Sequence, residues 1–343
     1  MKLLIFLFAL VSIAFANDQK DFLQQSKSEL KKQLECRDDV REPLRIYNDQ
    51  LKIAIVRLFE TAAQEENADF SYALYCVGST AMGIATPQSD LEFGFLIDDE
   101  NNRSKSEKLL ARFTALVIQS GICPDQNWYS SPILGIDIQK GFIATSAQLM
   151  HILLLSTRLI SSILFTQIHF LAGSRQLFDD FIIRSDSLDH SAFVNKVTES
   201  ERACFLSNCG YLRAVTEIDH LKKLHAARQT KNSKFDEFLL DPKKVFYRWV
   251  VNYMTYLNII NSIQERNPFA ALNALVSKGC LTPINGKRAA DCIQLGLWLR
   301  CRFSDKVSTT LLSNEQIEML LHVFEEGTFF YQVAAKTICS SPQ

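Results

Sequence analysis

Apolar positions near the start of the chain recur at helical spacing. Residues 18–37 place Phe22, Leu23, Leu30 and Leu34 on a charged background. Residues 42–65 repeat the pattern with Leu44, Tyr47, Leu51, Ile55, Leu58 and Phe59. A period of 3.6 gathers such positions on one side, so both stretches predict amphipathic helices. The period then changes. Tyr72–Val77 is a short apolar run that ends at Gly78-Ser79, and Leu91–Ile97 is a second, closed by the polar turn 98–102. Runs this short, bounded by turn residues, read as strands. Helical spacing returns over 103–119. Ile133–Ile138, set between Ser131-Pro132 and Lys140-Gly141, predicts a third strand, and Ile168–Ala172 a fourth. Thr145 or Ser146 can cap the helix between them. Gly173-Ser174 then turns into a helix carrying Leu177, Phe178 and Phe181.

After residue 186 strand signals are scarce. The stretches 191–229, 242–265, 267–278, 286–303 and 314–338 all read as helices. The pattern therefore predicts an α+β protein. A small mixed sheet with N-terminal helices would occupy 17–186, and an all-helical domain 187–343. No internal repeat or long Pro/Gly/Ser linker marks the boundary.

Composition narrows the function classes. The 343 residues suit two domains of ordinary size. Lys and Arg total 37 against 38 Asp and Glu, a net charge of -1, so no global basic field exists to hold nucleic acid by its phosphates. One local asymmetry stands out. Met1-Lys2 precedes an apolar run, Leu3 to Ala16, ending Ala14-Phe15-Ala16. A single cation, a short apolar core and small residues two apart compose a secretory signal peptide, with cleavage expected after Ala16. The run is shorter than the roughly 20 residues a membrane span needs. An uncleaved anchor or a buried helix is the alternative. A second apolar stretch, Leu149–Ala172, carries His151, Arg158, Gln167 and His169, which are costly at bilayer depth. It reads as a buried helix followed by a strand, so no transmembrane domain is expected in the mature chain.

The six His show no metal spacing, and the nine Cys contain no C-x-x-C, which argues against a zinc site. If the chain is exported, pairing among Cys204, Cys209, Cys280, Cys292 and Cys301 is expected, with at least one of nine left over.

The chemistry concentrates in residues 77–92. A strand runs into Gly78-Ser79 and a short helix opens there. Glycine lets a ligand approach the backbone, and the first N–H groups of a helix favour phosphate. Ser79 adds a hydroxyl, and it can also serve as the helix cap. After the Thr86-Pro87 turn, Asp90 and Glu92 stand two apart at the start of the next strand, where alternate residues share a face. Two carboxylates so close repel unless a cation lies between them. Hard oxygen ligands suit Mg²⁺ (or Mn²⁺), shared with substrate phosphates. Asp137, alone in the apolar strand Ile133–Ile138, is the natural third acid.

Gly78-Ser79, the eleven-residue stride to Asp90, and Glu92 resemble the signature of the nucleotidyltransferase superfamily of polymerase β type. The likeness is closer to the N-terminal domains of PII-protein uridylyltransferases and their relatives. Phe170–Phe178, Asp241–Arg248 and Asn273–Gly279 are similar to further pieces of those relatives, the last two in a helical substrate-binding domain. The resemblance implies transfer of a nucleoside monophosphate from an NTP to a protein or small-molecule acceptor, with release of pyrophosphate. By position, Gly78 and Ser79 would hold the triphosphate, and Asp90 and Glu92 would bind both metals. Asp137 would bind the catalytic metal and help activate the acceptor.

Three departures bear on this. The helix after Ser79, Thr80–Ile84, has no cation, the second acid is Glu rather than the commoner Asp, and Asp137 is followed by Ile138-Gln139. Triphosphate neutralisation would then fall to the helical domain, where Lys244, Tyr247 and Arg248 sit at i, i+3 and i+4. Lys222, Lys223, His225 and Arg228 form another basic patch, read as a solvated face. The departures also fit a degenerate relative that binds a nucleotide or partner without chemistry. A secreted interaction protein working through residues 186–343 is a third reading. Because NTPs are scarce outside cells, an exported transferase would have to reach donor in another cell.

Overall fold

Helical spacing in the first sixty residues is realised as α1 (Lys2–Glu35) and α2 (Arg41–Glu65). The computed structural model describes residues 2–35, 39–122, 142–145, 148, 167–186, 210–230 and 237–340. The chain divides into two units. The first comprises Met1–Cys36, Glu42–Ser156 and Gln167–Leu188, and the second Arg37–Arg41, Thr157–Thr166 and Asp189–Gln343.

The first unit is built on a four-stranded mixed sheet in the order β3-β2-β1-β4. The strands are β1 (Tyr72–Val77), β2 (Phe93–Ile97), β3 (Phe142–Thr145) and β4 (Ile168–Gly173). β1 pairs antiparallel with β2 and β4, and β2 pairs parallel with β3. Three strands fall where the periodicity places them. β3 is a difference: the expected third strand, 133–138, lies outside the described residues, and the strand beside β2 begins at Phe142. Phe142–Thr145 is too short to show a period of its own, and only pairing with β2 identifies it. Thr145 forms the bonds expected of a cap with Gln148. Its hydroxyl accepts from Gln148 N–H at 3.2 Å, and Gln148 Oε1 accepts from Thr145 N–H at 3.0 Å, a reciprocal capping box.

Alternation along β1 explains the two faces. Tyr72, Leu74 and Cys76 share one face with Phe93 and Phe95 of β2, by the register Leu74↔Phe95 and Cys76↔Phe93. Phe59 of α2 and Phe113 of α4 (Arg103–Gln119) close over that face, with ring centroids 5.3 Å apart. Phe59 and Phe113 are 1% and 0% exposed, and burial of such a side chain contributes about 1.5–3 kcal/mol. On the other face Tyr75 lies across Gly94, where any Cβ would collide with its ring. Phe178 of α5 (Arg175–Asp186) packs against both Tyr75 and Phe170. α1 packs on α4 through a stripe in which Gln19, Leu23, Ser26, Leu30 and Leu34 are buried.

The second unit contains α6 (Tyr211–Gln229), α7 (Arg248–Ile260), α8 (Pro268–Ser277), α9 (Pro283–Arg302) and α10 (Asn314–Ser340). Asn267 and Thr282 cap α8 and α9 ahead of Pro268 and Pro283, the placement that helix starts favour. A two-residue ladder, Leu239–Leu240 with Val307–Ser308, joins the helices. Trp249, Tyr253, Phe246 and Phe330 fill the core. Arg228 donates to the carbonyls of Leu312 and Thr309, both at 2.8 Å, and Lys222 pairs with Glu325 at 3.1 Å, so that basic patch has structural partners.

Two expectations change here. Cys280, Cys292 and Cys301 are free thiols. Cys292 and Cys301 share α9 nine residues apart, and a rise of about 1.5 Å per residue puts them far beyond disulfide reach. Cys204 and Cys209 lie outside the described residues. Tyr247, expected on an open face with Lys244 and Arg248, is 4% exposed. Residues Lys243–Tyr247 form a π-helical turn ahead of α7, so α-helical i, i+3, i+4 spacing does not apply. The Tyr247 hydroxyl meets Arg300 Nη1 at 2.5 Å, and Arg300, itself 2% exposed, also donates to Asp305. Tyr247→Phe deprives a buried guanidinium of one partner. It is expected to cost about 1–3 kcal/mol, read as a lowered midpoint in thermal or urea unfolding.

Candidate nucleotide site

Antiparallel pairing of β1 with β2 brings the end of one strand beside the start of the other. The ladder runs one residue past the strand itself, because Val77 N–H donates to the Glu92 carbonyl at 2.9 Å. Gly78 therefore follows β1 directly alongside Glu92. Gly78 adopts φ +62°, which an L side chain resists, and a Cβ there would run into the Glu92 carboxylate. The structure thus joins two of the expected site residues across a sheet end.

The short helix α3 (Gly78–Ala81) opens from this turn. Its N-cap is Val77, with extended backbone and no side-chain capping bond. Ser79 is therefore not the cap but lies in the first turn, half-buried, beside N–H groups that have no intrahelical acceptor. Thr80, Ala81, Met82 and Ile84 are 1%, 5%, 7% and 1% exposed, so the cation-poor segment is an apolar plug under the turn.

The stride from Ser79 to Asp90 is folded onto itself. Ile84 N–H donates to Ser79 O at 2.9 Å. Residues 86–89 form the expected turn, in which Ser89 N–H donates to Thr86 O at 2.8 Å and Thr86 N–H to Ser89 Oγ at 2.9 Å. Between them Ala85 is held from outside by Asn48 of α2, a residue that periodicity alone does not single out. Asn48 interrupts the apolar stripe of α2 as a polar residue, and that interruption is the signal that could have drawn attention to it.

The acids sit slightly differently from expectation. β2 begins at Phe93, so Asp90 and Glu92 precede the strand. Pairing stops there because Gly78 turns away and leaves β1 without a partner for earlier residues. Asp90 is exposed, Leu91 between the acids is 3% exposed, and Glu92 is half-buried. Among the described residues no group of three or more His, Cys, Asp or Glu is placed to hold a metal. Asp137, the expected third acid, lies outside the described residues. The residues present nonetheless suit a hard cation: Gly78 gives up its side chain to the Glu92 carboxylate, and Asp90 is open to solvent two residues away.

Lys244, Tyr247 and Arg248 belong to the second unit. Lys244 Nζ pairs with Asp241 at 3.0 Å and Arg248 is exposed. Asp241 caps the π turn through Lys244 N–H and donates its own N–H to Glu217, whose carboxyl is pushed up by burial.

Among the described residues no helix is long and apolar enough to cross a membrane. A search of curated proteins returns no match. Residues 25–131 match the family described as putative nucleotidyltransferase DUF294, a stretch that contains Asn48, the Gly78-Ser79 turn, Asp90 and Glu92 and ends before Asp137. Over those residues the chain is similar to nucleotidyltransferases at the level of the superfamily.

Proposed function

We propose that the chain is a Mg²⁺-dependent nucleotidyltransferase, of the kind resembling PII-protein uridylyltransferases. Its substrates would be an NTP and a hydroxyl on a protein or small-molecule acceptor. The observation that carries this reading is the meeting of Gly78 with the Glu92 carboxylate at one sheet end, within the stretch similar to nucleotidyltransferases. Gly78 and Ser79 would seat the triphosphate against the backbone. Asp90 and Glu92, with Asp137, would hold the divalent ion, which when bound neutralises phosphoryl oxygens and the departing pyrophosphate. Asp137 would take the acceptor's proton as its oxygen attacks the α-phosphorus and the bond to pyrophosphate breaks.

The test is transfer of label from α-³²P NTPs to proteins and metabolites of a lysate, with pyrophosphate release measured in parallel. Labelled acceptor with Mg²⁺, lost in EDTA, is the expected result. The absence of a cation from the buried segment after Ser79 favours a second reading, in which nucleotide binds without turnover. Mg²⁺-dependent binding with no label transferred from any of the four NTPs would select it.

We also propose export, with cleavage after Ala16. Asn17 and Asp18, next to the expected cleavage point, are exposed. N-terminal sequencing of protein from its own host tests this.

A further inference from the structure

Asn48 is 1% exposed in the middle of α2. Its amide nitrogen donates to Leu44 O at 2.8 Å, one turn back on its own helix, and to Ala85 O at 3.0 Å. Its amide oxygen accepts from Ala85 N–H at 3.0 Å. We propose that Asn48 is a positioning residue of the acid site: by gripping both backbone groups of Ala85 it sets where Asp90 stands beside Glu92 to receive a divalent cation. The inference deepens the nucleotidyltransferase reading and rests on it.

Asparagine is a poor choice for a helix interior, and on a buried stripe of Leu44, Tyr47, Leu51 and Ile55 it must satisfy its amide completely. It does so on a stretch outside regular structure. Past Ala81 the path to Asp90 has neither helix nor strand to hold it. The bonds of Ile84 to Ser79 and of Ser89 to Thr86 fold this path on itself, and Asn48 ties it to α2. Ala85 is 0% exposed, so its N–H and C=O require partners, and the two-point grip fixes orientation as well as distance. The bond to Leu44 O holds the amide on its own helix, so the grip is preset. Four residues lie between Ala85 and Asp90, and all four belong to the 86–89 turn. Displacement of Ala85 is thereby passed to the acid.

The experiment uses the full chain and Mn²⁺ as probe, with free Mn²⁺ followed by electron paramagnetic resonance. Asn48→Ala is expected to weaken Mn²⁺ binding by about tenfold or more, the scale on which residues that orient metal ligands act. Asn48→Ser keeps a hydroxyl for the Leu44 carbonyl one turn back but drops the grip on Ala85; it is expected to weaken binding as much, and it serves if the alanine variant does not fold. Leu58→Ala, a core truncation on the same helix, is expected to lower the melting temperature yet keep Mn²⁺ affinity within about twofold. If folded Asn48 variants bind Mn²⁺ like the wild type while Asp90→Asn has lost it, the positioning role is overturned and the nucleotidyltransferase reading stands. If Leu58→Ala loses affinity in proportion to its stability, as Asn48→Ala does, the role is again overturned. If Asp90→Asn binds Mn²⁺ like the wild type, the acid site itself falls, and the inference with it.

Discussion

Asp90→Asn protein should fold like the wild type and transfer nucleotide at a rate lower by on the order of 10³-fold, since one preorganised charge-stabilising group is worth about 10²–10³-fold. The side chain is exposed and precedes the strand, so the packing of the sheet does not depend on it. Asn keeps the volume and removes the charge. The loss should therefore appear in turnover and in divalent-ion affinity, while the melting temperature stays within a degree or two. Excess Mn²⁺ should recover part of the activity, because the second carboxylate, Glu92, is still seated against Gly78. Full activity in Asp90→Asn would remove the acid pair from the chemistry.

Gly78→Ala should be nearly as damaging for a different reason. Alanine at φ +62° costs about 1–2 kcal/mol of backbone strain, and its methyl collides with the Glu92 carboxylate. The carboxylate must move, and a misplacement of about 1 Å at a catalytic group costs on the order of 10²-fold in rate. The structure supplies a matched control. Gly121 also has φ +62°, but a Cβ there meets nothing within 4 Å. Gly121→Ala should show a similar drop in melting temperature and keep its transfer activity. Equal losses of activity in both variants would assign the effect to strain alone and detach Glu92 from the site.

Much of the first unit was legible from local pattern. The helices α2 and α4 and the strands β1, β2 and β4 lie where periodicity changes, because amphipathic spacing records which side of each element is buried; α1 instead begins at Lys2 and takes in the apolar run 3–16 together with the spacing after residue 18. Gly78-Ser79 and the 86–89 turn were legible for a related reason: each rests on residues within a few positions of one another. β3 was not, since four residues carry no period and become a strand only by pairing with β2. The start of β2 was set two residues early, because the end of pairing depends on where β1 turns away at Gly78. Tyr247 was misread for a similar reason. A π turn and a buried arginine 53 residues further on decide which way it points.

The sequence by itself determined the α+β order, the Gly78-Ser79 turn and the pair of acids, all of which are written in short-range spacing. Only the tertiary structure decided that the Glu92 carboxylate fills the place of a Gly78 side chain. It also decided that Asn48 holds Ala85, 37 residues away, in position. These are contacts between segments distant in the chain. Their specificity comes from strand register and from hydrogen bonds that buried groups must complete, and neither leaves a periodic trace along the sequence.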